Sequence, residues 1–228
     1  MGKWKKWLSA GLFTAMLGIA IIAGPTADVS ANAGNKPYNI ENVSPDAHLA
    51  PSVGDSSSKT SSKAWHKIDG VCYNGSGKKV EGAITRGMDI SEWQGKINWK
   101  EAKKDLDFAF VRISYGTRHL DDYYAYNMTE AEAADVPVGT YVYSLAKTNK
   151  EALAEAQLAI RQMQGHKVSY PVAFDLEDEA TLGTLTRKEI SQIALTFCDE
   201  IRKAGYTPIL YMNLNWYNNF VEWNVLEG

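Results

Sequence analysis

The segment Tyr170-Pro171-Val172-Ala173-Phe174-Asp175-Leu176-Glu177-Asp178 is an apolar, β-type run that ends in two carboxylates spaced two residues apart. Side chains alternate across a strand, so Asp175 and Glu177 share one face, with backbones roughly 7 Å apart at about 3.3 Å of rise per residue. Like charges at that range push one carboxyl pKa upward, and a raised pKa is what a general acid needs near neutrality. The pair therefore suits acid-assisted bond cleavage. A solvated acidic turn after a buried strand is the alternative.

The elements that must position such a pair can be read from Ala83 onward, where apolar strand-like runs alternate with amphipathic helical ones. That alternation is the signature of repeated βα units around a parallel sheet. Strands are predicted near 84–90, 108–114, 138–144, 170–176 and 207–212. Helices are predicted near 99–105, 122–134, 149–164 and 186–204, with a last one beginning near Asn215. Thr186 with Glu189 three residues on has the capping-box spacing, and Gly205 gives the same helix a stop.

In βα units the polar functional residues collect where strands end, because those loops face one opening. The five strand ends carry Asp89 and Ser91, then Arg112 with Ser114 and Tyr115, then Tyr141 and Tyr143, then Asp175 and Glu177, then Tyr211 and Asn213. Five separate strands thus converge on one polar, aromatic mouth.

The formal net charge of -3 leaves no overall basic field, which argues against a nucleic-acid partner. Two cysteines, Cys72 and Cys198, are too few for a disulfide scaffold, so the fold must rely on its core. Cys198 reads as a small buried hydrophobe, and a Cys72 to Cys198 bridge has no support in the sequence. His48, His66, His119 and His166 lack metal-ligand spacing, so no structural metal is expected.

The first 33 residues read as an export signal. Lys3, Lys5 and Lys6 precede an uncharged apolar run from Leu8 to Ala23, followed by small residues around Ala31 and Ala33. The run is short for a span of about 20 residues, so cleavage and secretion are expected ahead of a retained membrane anchor. Residues 34–63, rich in Ser, Pro, Asn and Lys, read as a disordered linker. Residues 64–83, with Asp-Gly and Asn-Gly turn signals between aromatic and β-branched residues, read as a short hairpin leading into a catalytic domain over 84–228.

Gly87-Met88-Asp89-Ile90-Ser91-Glu92-Trp93-Gln94-Gly95 with Ile97-Asn98-Trp99 resembles the opening motif of the glycoside hydrolase family 25 lysozymes. Phe110 to Gly116, Asp122, Asn127, Ala134, Pro137 to Tyr143 and Pro171 to Glu177 are similar to that family's succeeding strands, in order. The resemblance implies an α/β fold, a modified (β/α) TIM-like barrel without metal or organic cofactor. It also implies a substrate, the β-1,4 bond between N-acetylmuramic acid and N-acetylglucosamine in peptidoglycan glycan strands. By the same resemblance Glu177 is the general acid, Asp175 its partner, and Asp89 the acid closing the first strand. Tyr143, Tyr211 and Tyr141 would line the sugar subsites, and Asn213, Arg112 and Trp93 are further substrate-binding candidates.

Attack by the substrate's own acetamide, oriented by Asp175, is expected, with direct carboxylate or water attack left open. The chain ends at Gly228, shortly after the fifth βα unit, so the barrel is expected to be incomplete. A monomeric secreted hydrolase of the cell wall is the first reading. A non-catalytic wall-binding protein with a degenerate barrel, in which the hairpin near Trp65 is a vestigial binding repeat, is the second. A metal-dependent hydrolase using Asp175, Glu177 and Asp178 is a distant third.

Overall fold

The computed structural model describes residues 66–74 and 77–226. The expected export signal and linker lie outside them. Strands β1 (His66–Ile68) and β2 (Val71–Tyr73) pair antiparallel in the register His66 to Tyr73 and Ile68 to Val71. Asp69 and Gly70 between them both have positive φ, at 49° and 78°, the backbone a two-residue hairpin turn demands. Lys67 Nζ donates to both carboxylate oxygens of Asp107 at 3.0 and 2.9 Å, and the Arg86 N–H donates to the same carboxylate at 2.7 Å. The hairpin is thereby moored to the turn that precedes the second strand of the main sheet.

That sheet contains β3 (Gly87–Ile90), β4 (Phe108–Tyr115), β6 (Val138–Tyr143), β7 (Val168–Asp175) and β8 (Pro208–Tyr211), all parallel and adjacent in that order. The short β5 (His119–Leu120) pairs antiparallel with the end of β4. Among the described residues β3 and β8 are the two outer strands. Seven helices occur among the described residues: α1 (Trp99–Ala102), α2 (Tyr124–Ala133), α3 (Asn149–Met163), α4 (Glu179–Leu182), α5 (Arg187–Lys203), α6 (Leu214–Asn219) and α7 (Trp223–Leu226). The protein is thus an α/β structure built on a mostly parallel sheet. The five strands and the long helices stand where the sequence placed them, within a few residues at their ends. The short α4, α7 and β5 were not anticipated.

The long helices cover one face of the sheet. Ile190, Ile193, Ala194, Phe197 and Ile201 repeat at three- and four-residue spacing along α5, which makes one apolar stripe, and all are buried. Phe197 stacks on Phe174 of β7 at 4.0 Å between ring centroids. Burying one such side chain contributes about 1.5–3 kcal/mol. The ends of α5 follow the local code: Thr186 and Glu189 form a reciprocal capping box, and Gly205, at φ 89°, terminates it. Cys198 on this helix and Cys72 on β2 are both buried free thiols.

The other face holds a second, aromatic cluster in which Phe108, Phe110 and Ala173 are buried against Tyr141, Tyr170, Ile209 and Tyr211. Two glycines make room for it. A Cβ on Gly87 would lie 2.1 Å from the Phe108 ring, and one on Gly139 would lie 2.6 Å from the Pro171 carbonyl and 2.7 Å from the Phe110 ring. Each glycine therefore lets a phenylalanine from the neighbouring strand lie across its backbone. This aromatic floor sits directly below the ends of the strands.

Candidate active site

The strand register carries the candidate residues into one row. Tyr115 of β4 pairs with Tyr143 of β6, Tyr143 with Asp175 of β7, and Asp175 with Tyr211 of β8. Arg112 and Tyr141 form the pair one step below. Leu176, fully buried in the helix-side core, alternates with Asp175 and Glu177, so those two acids share the opposite face. Asp89, near the end of β3, is close enough for its charge to act on Asp175, Glu177, Tyr141 and Tyr211.

Asp175 is buried, and its Oδ1 accepts no hydrogen bond from any described residue. Burial, then the charges of Glu177 and Asp89, hold its carboxyl well above the ordinary carboxylate range, and Arg112 opposes that shift. Burial also raises Glu177, but the side chain and the backbone of Asn213 each hydrogen-bond to it and favour its ionised form. Asn213 can serve both ends because its own Oδ1 accepts the Trp216 N–H at 3.0 Å and so caps α6. Asp89 is raised by burial, with a hydrogen bond from its own N–H pulling the other way. Burial is thus the largest influence on all three carboxyls, and it raises each of them.

Arg112 is the residue whose surroundings differ most from a direct sugar contact. Its guanidinium is buried, donating from Nε to Asp121 at 3.0 Å and lying 2.8 Å from Glu92 Oε1 in an ion pair without hydrogen-bond alignment. Asp121 also accepts the Glu92 N–H at 2.7 Å, and His119 lies 2.7 Å from the second Glu92 oxygen. These contacts fix the 3-10 turn Glu92–Gln94, which Ser91 and Gln94 close by a capping box. Trp93 lies in that turn with 56% of its surface exposed. Neither Asp121 nor Glu92 stands out in the sequence, since β5 before Asp121 is only two residues long, although Glu92 falls inside the Gly87-to-Gly95 motif.

Tyr143, Tyr141 and Tyr211 are half-buried, and burial raises all three phenols, so each remains a neutral donor at physiological pH. Tyr115, Tyr143 and Asp178 form a further cluster beside Glu177. The two rings stack at 4.8 Å, and both hydroxyls donate to Asp178 Oδ2, at 3.3 and 3.4 Å. Among the described residues no group of three or more His, Cys, Asp or Glu side chains is arranged to hold a metal ion.

Fold and site together define an α/β protein with carboxyls and phenols gathered at the C-terminal ends of a parallel sheet, the arrangement in which such folds place their chemistry. The family model described as Glycosyl hydrolases family 25 matches residues 88–226, and the chain belongs to that family. The Escherichia coli K12 protein YegX is 25% identical over 139 residues, which is 58% of this chain and 49% of YegX. This chain therefore spans about half the length of that relative. Lysozyme M1 of Streptomyces globisporus is 37% identical over 60 residues, 26% of this chain and 20% of that protein. The modular autolysin LytC of Streptococcus pneumoniae, solved in complex with a synthetic peptidoglycan ligand, superposes with a TM-score of 0.57. That likeness, at 24% identity over 68% of this chain and 39% of LytC, is one of fold.

Proposed function

We propose that this chain is a secreted peptidoglycan hydrolase that cleaves the β-1,4 bond between N-acetylmuramic acid and N-acetylglucosamine, with Glu177 as general acid. Membership of a glycosyl hydrolase family supports the reaction class. The relative called a lysozyme and the fold neighbour solved with a peptidoglycan ligand support the substrate. In this reading residues 84–228 supply five βα units of a modified TIM-like barrel, and residues 1–33 direct export to the wall, where the substrate lies.

The observation that carries the reading is the unpartnered Oδ1 of buried Asp175. A buried acceptor without a donor costs roughly 1–3 kcal/mol, so a ligand that supplies an N–H there recovers that cost. The acetamide of an N-acetyl sugar has such a donor. Its hydrogen bond favours the ionised form of Asp175, which leaves the shared proton to Glu177. Glu177 then protonates the leaving glycosidic oxygen while the C–O bond breaks. The acetamide oxygen attacks the anomeric carbon and Asp175 balances the positive charge on its nitrogen; water then attacks the same carbon, gives one proton to the now ionised Glu177, and reopens the ring to the acetamide. Asp89 adds negative potential beneath the same centre, and Tyr141, Tyr143 and Tyr211 offer ring faces and hydroxyl donors to the sugars.

The test is the chemistry of the new chain end. Full-length protein incubated with purified peptidoglycan, followed by borohydride reduction and hydrolysis, is expected to yield reduced N-acetylmuramic acid. Reduced N-acetylglucosamine in its place, or no new reducing end at all, would sink the reading.

A further inference from the structure

Asp178 takes no part in the chemistry described above, yet it is the point on which two stacked phenols converge. We propose that Tyr115, Tyr143 and Asp178 form a clamp that fixes the direction of Glu177. Tyr115 and Asp178 act in it as positioning residues and not as catalytic ones. The proposal rests on Glu177 being the general acid.

Asp178 is held on every side. Oδ2 accepts the hydroxyls of Tyr115 and Tyr143, while Oδ1 accepts the Thr181 N–H at 2.7 Å and caps α4. That helix is itself anchored by Leu182, which is fully buried. Three donors converging on its two oxygens fix where the Asp178 side chain lies. Its role must therefore be mechanical. One residue earlier stands Glu177, and one residue before that stands Leu176, buried and donating its N–H to the Tyr211 carbonyl at 2.9 Å. On the far side Asn213 hydrogen-bonds the Glu177 side chain. Glu177 thus hangs between two fixed residues, and the contacts of Asp178 decide how tightly the second is fixed.

Tyr115 reaches this position through an irregularity in β4. Arg112 pairs with Tyr141 and Ser114 with Val142, so Ile113 is an extra residue relative to β6. Phe108, Phe110 and Arg112 face the site side by strict alternation, which would carry residue 115 to the helix-covered face. The bulge at Ile113 reverses the parity and turns Tyr115 toward Tyr143, where the rings stack with 15° between planes. A bulge that re-aims one side chain next to a catalytic carboxyl is a device for placing that side chain.

General acid catalysis depends on aim, and misplacement by about 1 Å costs up to about a hundredfold in rate. Tyr115→Phe keeps the ring stack and removes one donor; Asp178→Asn keeps the helix cap and removes the charge. On peptidoglycan each is expected to lower kcat about three- to tenfold, with KM within about twofold and no change in thermal midpoint. The discriminating substrate is an aryl glycoside of the same disaccharide with a dinitrophenolate leaving group, which departs without a proton. In first-turnover release of dinitrophenolate from it, Tyr115→Phe and Asp178→Asn should match wild type, and Glu177→Gln should keep most of its rate. Equal losses on both substrates, or no loss on peptidoglycan, would overturn the clamp. Glu177→Gln equally disabled on both would instead overturn the acid assignment beneath it.

Discussion

At the scale of single residues, the site is governed by how three carboxyls share protons in an enclosed space. Asp175 and Glu177 are both pushed upward, chiefly by burial, and protons leave such a pair in steps that belong to both groups. Replacing Asp175 by Asn removes a negative charge beside Glu177, so Glu177 becomes easier to ionise. The alkaline limb of the kcat profile for Asp175→Asn is therefore expected to move to lower pH, with kcat at its maximum down by roughly 10²–10³. A limb that stays in place or moves upward would remove Asp175 from its role. The types and two-residue spacing of Asp175 and Glu177 were legible in the sequence because strand alternation alone puts them on one face. The partners of Arg112 were not: Glu92 and Asp121 lie 20 and 9 residues away by residue number, and only the folded chain shows that they occupy its guanidinium.

At the scale of elements, strand ends and helix caps depend on local spacing, which is why the five strands and the Thr186 capping box could be read from sequence. The bulge at Ile113 could not, because it is defined only by the partner strand. The loop leaving β6 shows a further tertiary dependence. Glu155 of α3, almost fully buried, accepts the Ser144 hydroxyl at 2.8 Å and the Leu145 N–H at 3.0 Å, directly after Tyr143. Burial raises its carboxyl to about 7, with those hydrogen bonds opposing and the Glu151 charge assisting. The folded chain thus binds this proton more tightly than the unfolded chain, whose glutamates titrate near about 4.3. The group's contribution is fully present below that pH and is lost as pH rises through about 7, by about 4 kcal/mol in all. Glu155→Gln keeps acceptor and shape, so its urea midpoint should change less between pH 5 and pH 8 than that of wild type. Parallel pH dependence in the two proteins would exclude Glu155 as the source.

At the scale of the whole molecule, one parallel sheet divides the labour between its faces. Helices α2, α3 and α5 bury the aliphatic face, and the aromatic cluster of Phe108, Phe110 and Tyr170 supports the acids on the other. The hairpin of β1 and β2 joins this body through Lys67 and Asp107, remote from the strand ends that carry the site. The proposed reaction at those strand ends turns on one proton, on Glu177, delivered to a glycosidic oxygen. The direct test is the rate of new reducing ends released from purified peptidoglycan by wild type and by Glu177→Gln, at matched thermal stability. The account predicts release by wild type and a loss of about a thousandfold or more in the variant. Comparable rates for the two proteins would contradict it.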